Sequence, residues 1–396
     1  MTPPASTTDP AAFRRLFPSL AHAVHLASCS LGARSTQLDQ ALTAMLAAMA
    51  RHGAPWPRFE EQYAQARERF AALVGAQTEQ VAVVPSASVG AFQVASTLSW
   101  RRRPRLVSAT AEFPGVARAW LSQRACGAEV VFVGERTGRV SAADYLSAID
   151  ERTKLVSIPM TTYRDGVRLP VAALAAAAHN AGALVFVDAY QAAGVEPVDV
   201  ARLDCDYLVT GMAKYLCGLP GVAFTYAREP AAGDRPPHLT TWLAQSDPFR
   251  FDPSYVGPVD ARRFELGTHA VPALYAANAG LALVGGLDLQ VVRDYVSELV
   301  GYAVDRLSEM GERLPVCADR AARGAHVSVV DPDPAGLARW LAQRRIAVSP
   351  RGDVVRVSLH FYNNRRDVDA VCEQLYRYRV QTVTTQPGAV LGDRRA

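Results

Sequence analysis

A lysine and an aspartate separated by 26 positions carry the clearest chemical signal in this sequence. Lys214 lies in Asp206-Tyr-Leu-Val-Thr-Gly-Met-Ala-Lys214-Tyr-Leu-Cys-Gly-Leu-Pro-Gly221, and Asp188 closes the apolar run Leu184-Val-Phe-Val-Asp188. A lysine amine can hold an aldehyde as an imine. A carboxylate facing a pyridine nitrogen keeps that nitrogen protonated, so that the ring can accept electrons from a carbanion. These are the two groups that a pyridoxal phosphate (PLP) site requires. Taken alone, the same pair also describes a surface lysine and a strand-capping aspartate, so the surrounding elements must decide.

Those elements read as α/β. Short β-branched runs alternate with helical patterns of about a dozen residues, the signature of a parallel sheet with crossover helices. The strand Leu155–Pro159 is followed by a helix with Val171, Leu174, Ala178 and Ala181 on one face, ended by Gly182, and then by the strand closing at Asp188. Further strands are predicted at Arg105–Ser108, Glu129–Val133, Tyr207–Thr210 and Val222–Tyr226. The large domain is therefore a doubly wound, mainly parallel sheet, in which ligands gather beyond the carboxyl ends of strands. Asp188 and Thr210 both fall at such ends.

The spacing divides the chain into an amino-terminal segment, 1–32, a large domain, 33–265, a smaller α/β domain, 266–380, and a loose tail, 381–396. One long helical stretch is predicted from Val271 to about Leu307. A chain of 396 residues, 49% hydrophobic, exceeds what one core usually holds. A net charge of +4 with scattered arginines does not describe a nucleic-acid surface. The six cysteines form no CxxC pair, so neither zinc nor a disulfide framework is signalled, and a reducing cytoplasm is expected. The first residues lack an export pattern, and no segment approaches the ~20 apolar residues of a membrane helix. No GxGxxG suggests a nicotinamide or flavin site.

The stretch Asp188-Ala-Tyr-Gln-Ala-Ala-Gly-Val-Glu-Pro-Val-Asp-Val200, with Leu203-Asp-Cys-Asp-Tyr207 and the Lys214 segment, resembles class V aminotransferase-fold PLP enzymes (fold type I), the group containing cysteine desulfurases and kynureninases. The resemblance runs from about His25 to Leu375. It implies Lys214 as the imine lysine, Asp188 opposite the pyridine nitrogen, Gln191 on the phenolate oxygen side and Thr210 as a phosphate-binding hydroxyl. Val84-Pro-Ser-Ala-Ser-Val-Gly90 resembles the family's phosphate loop, with Ser88 as hydroxyl donor and Ala87 in place of the usual second hydroxyl. Glu112-Phe-Pro-Gly115 resembles the segment whose phenylalanine, here Phe113, stacks on the cofactor. Tyr163 stands where kynureninases have a tyrosine. Phe264-Glu-Leu-Gly-Thr268 and Trp242 resemble residues that reach a neighbouring subunit's phosphate, which implies a homodimer with its active sites at the interface. Arg356, in Val355-Arg-Val-Ser-Leu-His-Phe-Tyr-Asn363, matches the arginine that grips a substrate α-carboxylate. Ser30, in the Ser-Leu-Gly opening, falls among the substrate residues.

The departures from the family bear on the chemistry. Ser349-Pro-Arg-Gly-Asp-Val-Val-Arg356 has no cysteine where a desulfurase carries its thiolate. Cys29 replaces the asparagine, and Ala213 the tyrosine, of kynureninase; Met212 brings no acid or base into the lysine turn. The closest motif resemblance is to kynureninase-like and lincosamide-pathway PLP enzymes. The reading that follows is a PLP-dependent lyase performing β-elimination on an S-substituted cysteine in specialised metabolism. Alternatives are decarboxylation-dependent oxidative deamination of such a cysteine to an aldehyde, a class V aminotransferase, and a kynureninase-type hydrolase.

Overall fold

The computed structural model describes residues 8–134, 139–251 and 253–385. In chain order the strands are β1 (Val24–His25), β2 (Val81–Val84), β3 (Arg105–Ala109), β4 (Glu129–Val133), β5 (Thr153–Pro159), β6 (Leu184–Asp188), β7 (Tyr207–Gly211), β8 (Ala223–Ala227), β9 (His326–Val330), β10 (Ile346–Ala347), β11 (Ser349–Arg351) and β12 (Val354–Ser358). Seven of them form one sheet in the order β2-β8-β7-β6-β5-β3-β4, and β8 alone runs against the rest. The strands are short, β-branched and buried on both faces, as crossover helices require. The predicted strands all form. β2, which the sequence reading did not single out, adds the edge beside the antiparallel β8.

One face of the sheet packs Phe70, Val74, Leu174, Ala178 and Leu274. The other packs Ala91, Val94, Trp120, Phe186 and Phe264. Trp120 and Phe186 meet edge to face, with centroids 4.7 Å apart. A separate apolar cluster is built on a three-stranded antiparallel sheet, β11-β12-β9, covered by the Leu289–Glu309, Pro334–Ala342 and Arg365–Thr385 helices. The amino-terminal segment belongs to this second cluster: Phe13, Phe17 and Leu20 are buried in it, and β1 pairs in parallel with β10.

The single long helix predicted from Val271 is two helices, Val271–Gly285 and Leu289–Glu309, bent by 85°. Asp288 caps the second, its carboxylate accepting from Gln290 and Val291 N–H groups. The bend lets the first helix lie against the Thr36–His52 and Trp56–Val74 helices while the second covers the small sheet. Gln381–Thr385 continue the last helix, and the rest of the predicted tail, 386–396, lies outside the described residues. No single helix among the described residues is long and apolar enough to cross a membrane.

Candidate active site

β5, β6 and β7 run side by side, and the register Pro159↔Asp188↔Val209 brings their carboxyl ends level. Asp188 closes β6 with 6% of its surface exposed, and its Oδ1 accepts the Tyr190 N–H at 2.8 Å. Thr210 sits one residue before the end of β7, 1% exposed, and its Oγ1 has no hydrogen-bond partner. After β7 the chain turns through Met212 and Ala213 to place Lys214 beside Asp188, whose charge acts directly on it. Burial lowers the Lys214 pKa to about 8; Asp188 opposes that shift, and the guanidinium of Arg356 adds to it.

The Lys214 ammonium lies over the Tyr190 ring, 3.9 Å from its centroid, and 5.3 Å from the centroid of Phe113. Phe113 is 37% exposed, as a ring lining a cleft would be and a core residue would not. It meets Tyr163 edge to face at 5.5 Å. Close backbone packing fixes the lysine turn from behind. A Cβ on Gly32 would stand 2.4 Å from the Lys214 carbonyl oxygen, and one on Gly280 2.1 Å from that of Leu216. Gly32 N–H donates to the Ala213 carbonyl at 2.8 Å, so the Ser-Leu-Gly opening docks here and brings Ser30 with it. Gln191 Nε2 donates to the Cys29 carbonyl at 3.1 Å, while its Oε1 is buried without a partner.

Ser86 caps the Ala87–Ser96 helix by accepting from Val89 N–H, which sets Ala87 and Ser88 in the first turn. That turn touches the start of the Pro114–Ser122 helix: a Cβ on Gly115 would come within 2.3 Å of Ser88 Oγ. The predicted phosphate loop and the Phe113 segment are thus neighbours.

Arg356 is 1% exposed on β12, opposite Ser349 on β11 and Ser328 on β9. Its Nη1 donates to the Tyr163 carbonyl at 2.8 Å and its Nη2 to Ser349 Oγ at 2.7 Å, and its Nε is unpartnered. His326, opposite Ser358, shares this face of the small sheet; burial, with Arg356 and Lys214 nearby, lowers its pKa to about 3 and keeps it neutral.

Two predicted residues lie elsewhere. Trp242, 39% exposed, and Thr268 line a cavity of about 600 Å³ with Phe59, Tyr63, Phe249 and Phe251. Lys214 does not line that cavity. Glu265, also lining that cavity, accepts the Tyr63 hydroxyl at 2.8 Å and the Val83 N–H at 2.9 Å.

Sequence reasoning passed over Tyr190 and Glu112. An aromatic between Asp188 and Gln191 and an acid directly before Phe113-Pro114 were the available signals, and neither reveals which way its side chain turns. Glu112 is 2% exposed. It accepts from Phe113 N–H at 2.9 Å and from Ser157 Oγ at 3.0 Å, and burial, followed by the Asp188 charge, raises its pKa well above the usual carboxylate range.

The residues fit PLP. A poised amine stands between two aromatic rings, a buried carboxylate lies beside it, and Gln191 Oε1 and Thr210 Oγ1 are buried polar atoms without partners. Fold and site together define a PLP-dependent enzyme of fold type I. The chain belongs to the aminotransferase class V family, whose model matches residues 36–371. It is 32% identical to an uncharacterised aminotransferase, YcbU, of Bacillus subtilis, over 92% of this chain and 97% of that protein. It is 29% identical to a kynureninase of Deinococcus radiodurans, over 67% of this chain and 65% of the relative. Among solved structures, a cystine C–S lyase in complex with cysteine persulfide superposes with a TM-score of 0.83 at 21% identity, covering 91% of this chain and 99% of that one.

Proposed function

We propose that this chain is a PLP-dependent lyase that cleaves the Cβ–S bond of an S-substituted cysteine by β-elimination, as a cytoplasmic homodimer serving specialised metabolism. The observation that carries this reading is the hairpin beside Arg356. β11 and β12 are joined by Gly352 and Asp353 alone, and the residue opposite Arg356 is Ser349. The hairpin thus offers no thiol to take sulfur from a substrate, and Cys217, three residues past Lys214, is buried with its pKa pushed up to about 12. With no such acceptor on the hairpin beside Arg356, sulfur leaves together with its substituent.

When bound, PLP supplies the aldehyde that captures the substrate amine and a ring that takes up the electron pair freed at Cα. Lys214, freed as an amine, removes the Cα proton, and its lowered pKa leaves a usable neutral fraction near neutral pH. Arg356 offers N–H groups not spent on Tyr163 and Ser349 to the α-carboxylate. Asp188 would face the pyridine nitrogen, with Gln191 and Thr210 towards the phenolate and phosphate ends, and Ser88 and Ala87 would hold the phosphate from its loop. Phe113 and Tyr163 wall the cleft, and Ser30 borders the substrate. The sulfur departs as a thiol, carrying the proton that Lys214 releases, and one water is consumed, so the products are thiol, pyruvate and ammonia. Trp242 and Thr268, set apart from Lys214 in an apolar cavity, act on the partner copy's cofactor.

The test is to incubate the holoprotein with a panel of S-substituted cysteines and assay pyruvate, ammonia and thiol in equal amounts, with Lys214→Ala as the inactive control. Carbon dioxide with an aldehyde would replace this reading by decarboxylating deamination. Amine transfer that requires a keto acid would replace it by transamination.

A further inference from the structure

His326 is a buried histidine that the chemistry above does not use, and strand alternation fixes the direction of its side chain. On β9 and β12, Val327, Val329, Val355 and Val357 turn into the apolar cluster behind the small sheet. His326, Ser328, Arg356 and Ser358 therefore turn the other way, and the register pairs Ser328 with Arg356 and His326 with Ser358. His326 and Arg356 are thus diagonal neighbours on one face of an antiparallel pair, roughly 7 Å apart and within reach of one small ligand. This face packs on the turn between Thr162 and Val167. Arg356 Nη1 donates to the Tyr163 carbonyl at 2.8 Å, Ser328 Oγ donates to the Arg164 carbonyl, and a Cβ on Gly166 would stand 3.2 Å from His326 Nε2. Tyr163 in turn meets Phe113, whose ring centroid is 5.3 Å from the Lys214 ammonium, so the face borders the cleft.

The hydroxyl groups on this face are committed. Ser349 Oγ accepts from Arg356 Nη2 at 2.7 Å, and Ser358 Oγ accepts from Cys29 N–H and donates to the Leu26 carbonyl, each at 3.0 Å. Among the described residues of β9, β11 and β12, the buried side-chain polar atoms left without a partner are Arg356 Nε and both ring nitrogens of His326. His326 is 2% exposed, so bulk water does not serve its ring. Buried polar atoms without partners cost free energy, and where they cluster beside a cleft they mark what a ligand is to satisfy. The Arg356 charge selects an anion. Burial keeps the imidazole neutral, so His326 adds a donor without adding a second charge. A carboxylate, with two acceptor oxygens, can take hydrogen bonds from both side chains.

We infer that His326 is a substrate-binding residue that donates a ring N–H to the α-carboxylate held by Arg356, so that the carboxylate is shared between guanidinium and imidazole. The inference rests on the reading of Arg356 as the carboxylate anchor. Gly166 makes room for the ring: its φ is +71°, and a methyl group there would also stand 2.7 Å from the His326 carbonyl oxygen.

The test titrates the PLP-loaded protein with L-alanine, which carries an α-carboxylate and no leaving group, and with ethylamine, its decarboxylated counterpart, following the cofactor absorbance. His326→Leu should weaken L-alanine binding about tenfold, the effect of losing one hydrogen bond to a charged group, and leave ethylamine binding unchanged. A glutamine amide can donate as the imidazole does, so His326→Gln should bind L-alanine within about threefold of wild type. Equal losses for the two probes, or no loss for L-alanine, would overturn the inference. If His326→Leu does not fold, nuclear magnetic resonance of isotope-labelled histidine ring nitrogens in wild type still decides. The His326 signal, identified by its absence in His326→Gln, should move with saturating L-alanine and not with ethylamine; a signal that moves with neither, or equally with both, overturns the inference. Arg356→Lys separates the two readings, because equal changes for L-alanine and ethylamine in that variant would instead overturn the carboxylate anchor itself.

Discussion

Lys214 and Tyr190 are stacked charge on ring: the ammonium lies 3.9 Å from the ring centroid, and a Cβ on Gly211 would be 2.4 Å from the Tyr190 hydroxyl end. The ring is thus held against the end of β7, under the amine. Tyr190→Ala should weaken PLP retention by about 1 kcal/mol, five- to tenfold, from the loss of an aromatic face, whereas Tyr190→Phe should keep it. Equilibrium dialysis against PLP measures both, and equal effects of Ala and Phe would show that the hydroxyl matters instead.

Protonated Lys214 cannot condense with an aldehyde. Its pKa lies at about 8, below that of an ordinary lysine, because burial disfavours the charge. Capture of PLP by the apoprotein should therefore slow as pH falls through about 8 and reach a plateau above it. Asp188→Asn removes the charge that raises this pKa and should move the midpoint to lower pH. Stopped-flow absorbance across a pH series reads both.

Arg356→Lys should reduce kcat/KM roughly 10- to 100-fold, with most of the change in KM, since an ammonium cannot reproduce the fork that binds a carboxylate through parallel hydrogen bonds. The variant also leaves the Tyr163 carbonyl and Ser349 hydroxyl without their donors. Steady-state kinetics on amino acids and on the corresponding decarboxylated amines checks the assignment: the amines should be insensitive to the substitution.

Gly280 lies in the Val271–Gly285 helix, where a methyl group would meet the Leu216 carbonyl oxygen at 2.1 Å. Backbone sits on both sides of that contact, so neither can turn aside. Gly280→Ala should destabilise the fold by about 1–3 kcal/mol and displace the lysine turn, loosening PLP as well. Denaturant unfolding and cofactor dialysis report the two effects separately.

Phe251 is 75% exposed at the rim of the cavity that Trp242 and Thr268 line. If a second copy covers this face, sedimentation should give a dimer for wild type and a shift towards monomer for Phe251→Glu, with weakened PLP binding in the monomer. A dimer unaffected by Phe251→Glu would place the interface elsewhere.

Asp188 and Lys214 were legible before any fold was known, because each stands at a break in a strong local pattern and each chemistry admits few residue types. The same holds for the sheet, since buried parallel strands read as short apolar runs wherever they fall. The bend at Gly285–Asp288 was not legible: the residues on either side carry helical patterns, and only the need to cover two different cores separates them.

The sequence by itself therefore determined the cofactor chemistry, the fold class and the order of most strands, all of which depend on residue type and on near neighbours in the chain. Tertiary structure decided the rest. It set the Tyr190 ring under Lys214, brought Ser157 Oγ against the Glu112 carboxylate across 45 positions of chain, and gathered Trp242 and Thr268 in a cavity that Lys214 does not line. Those outcomes depend on where strands of one sheet end relative to one another and on how much water is excluded there, quantities that arise only when distant segments pack.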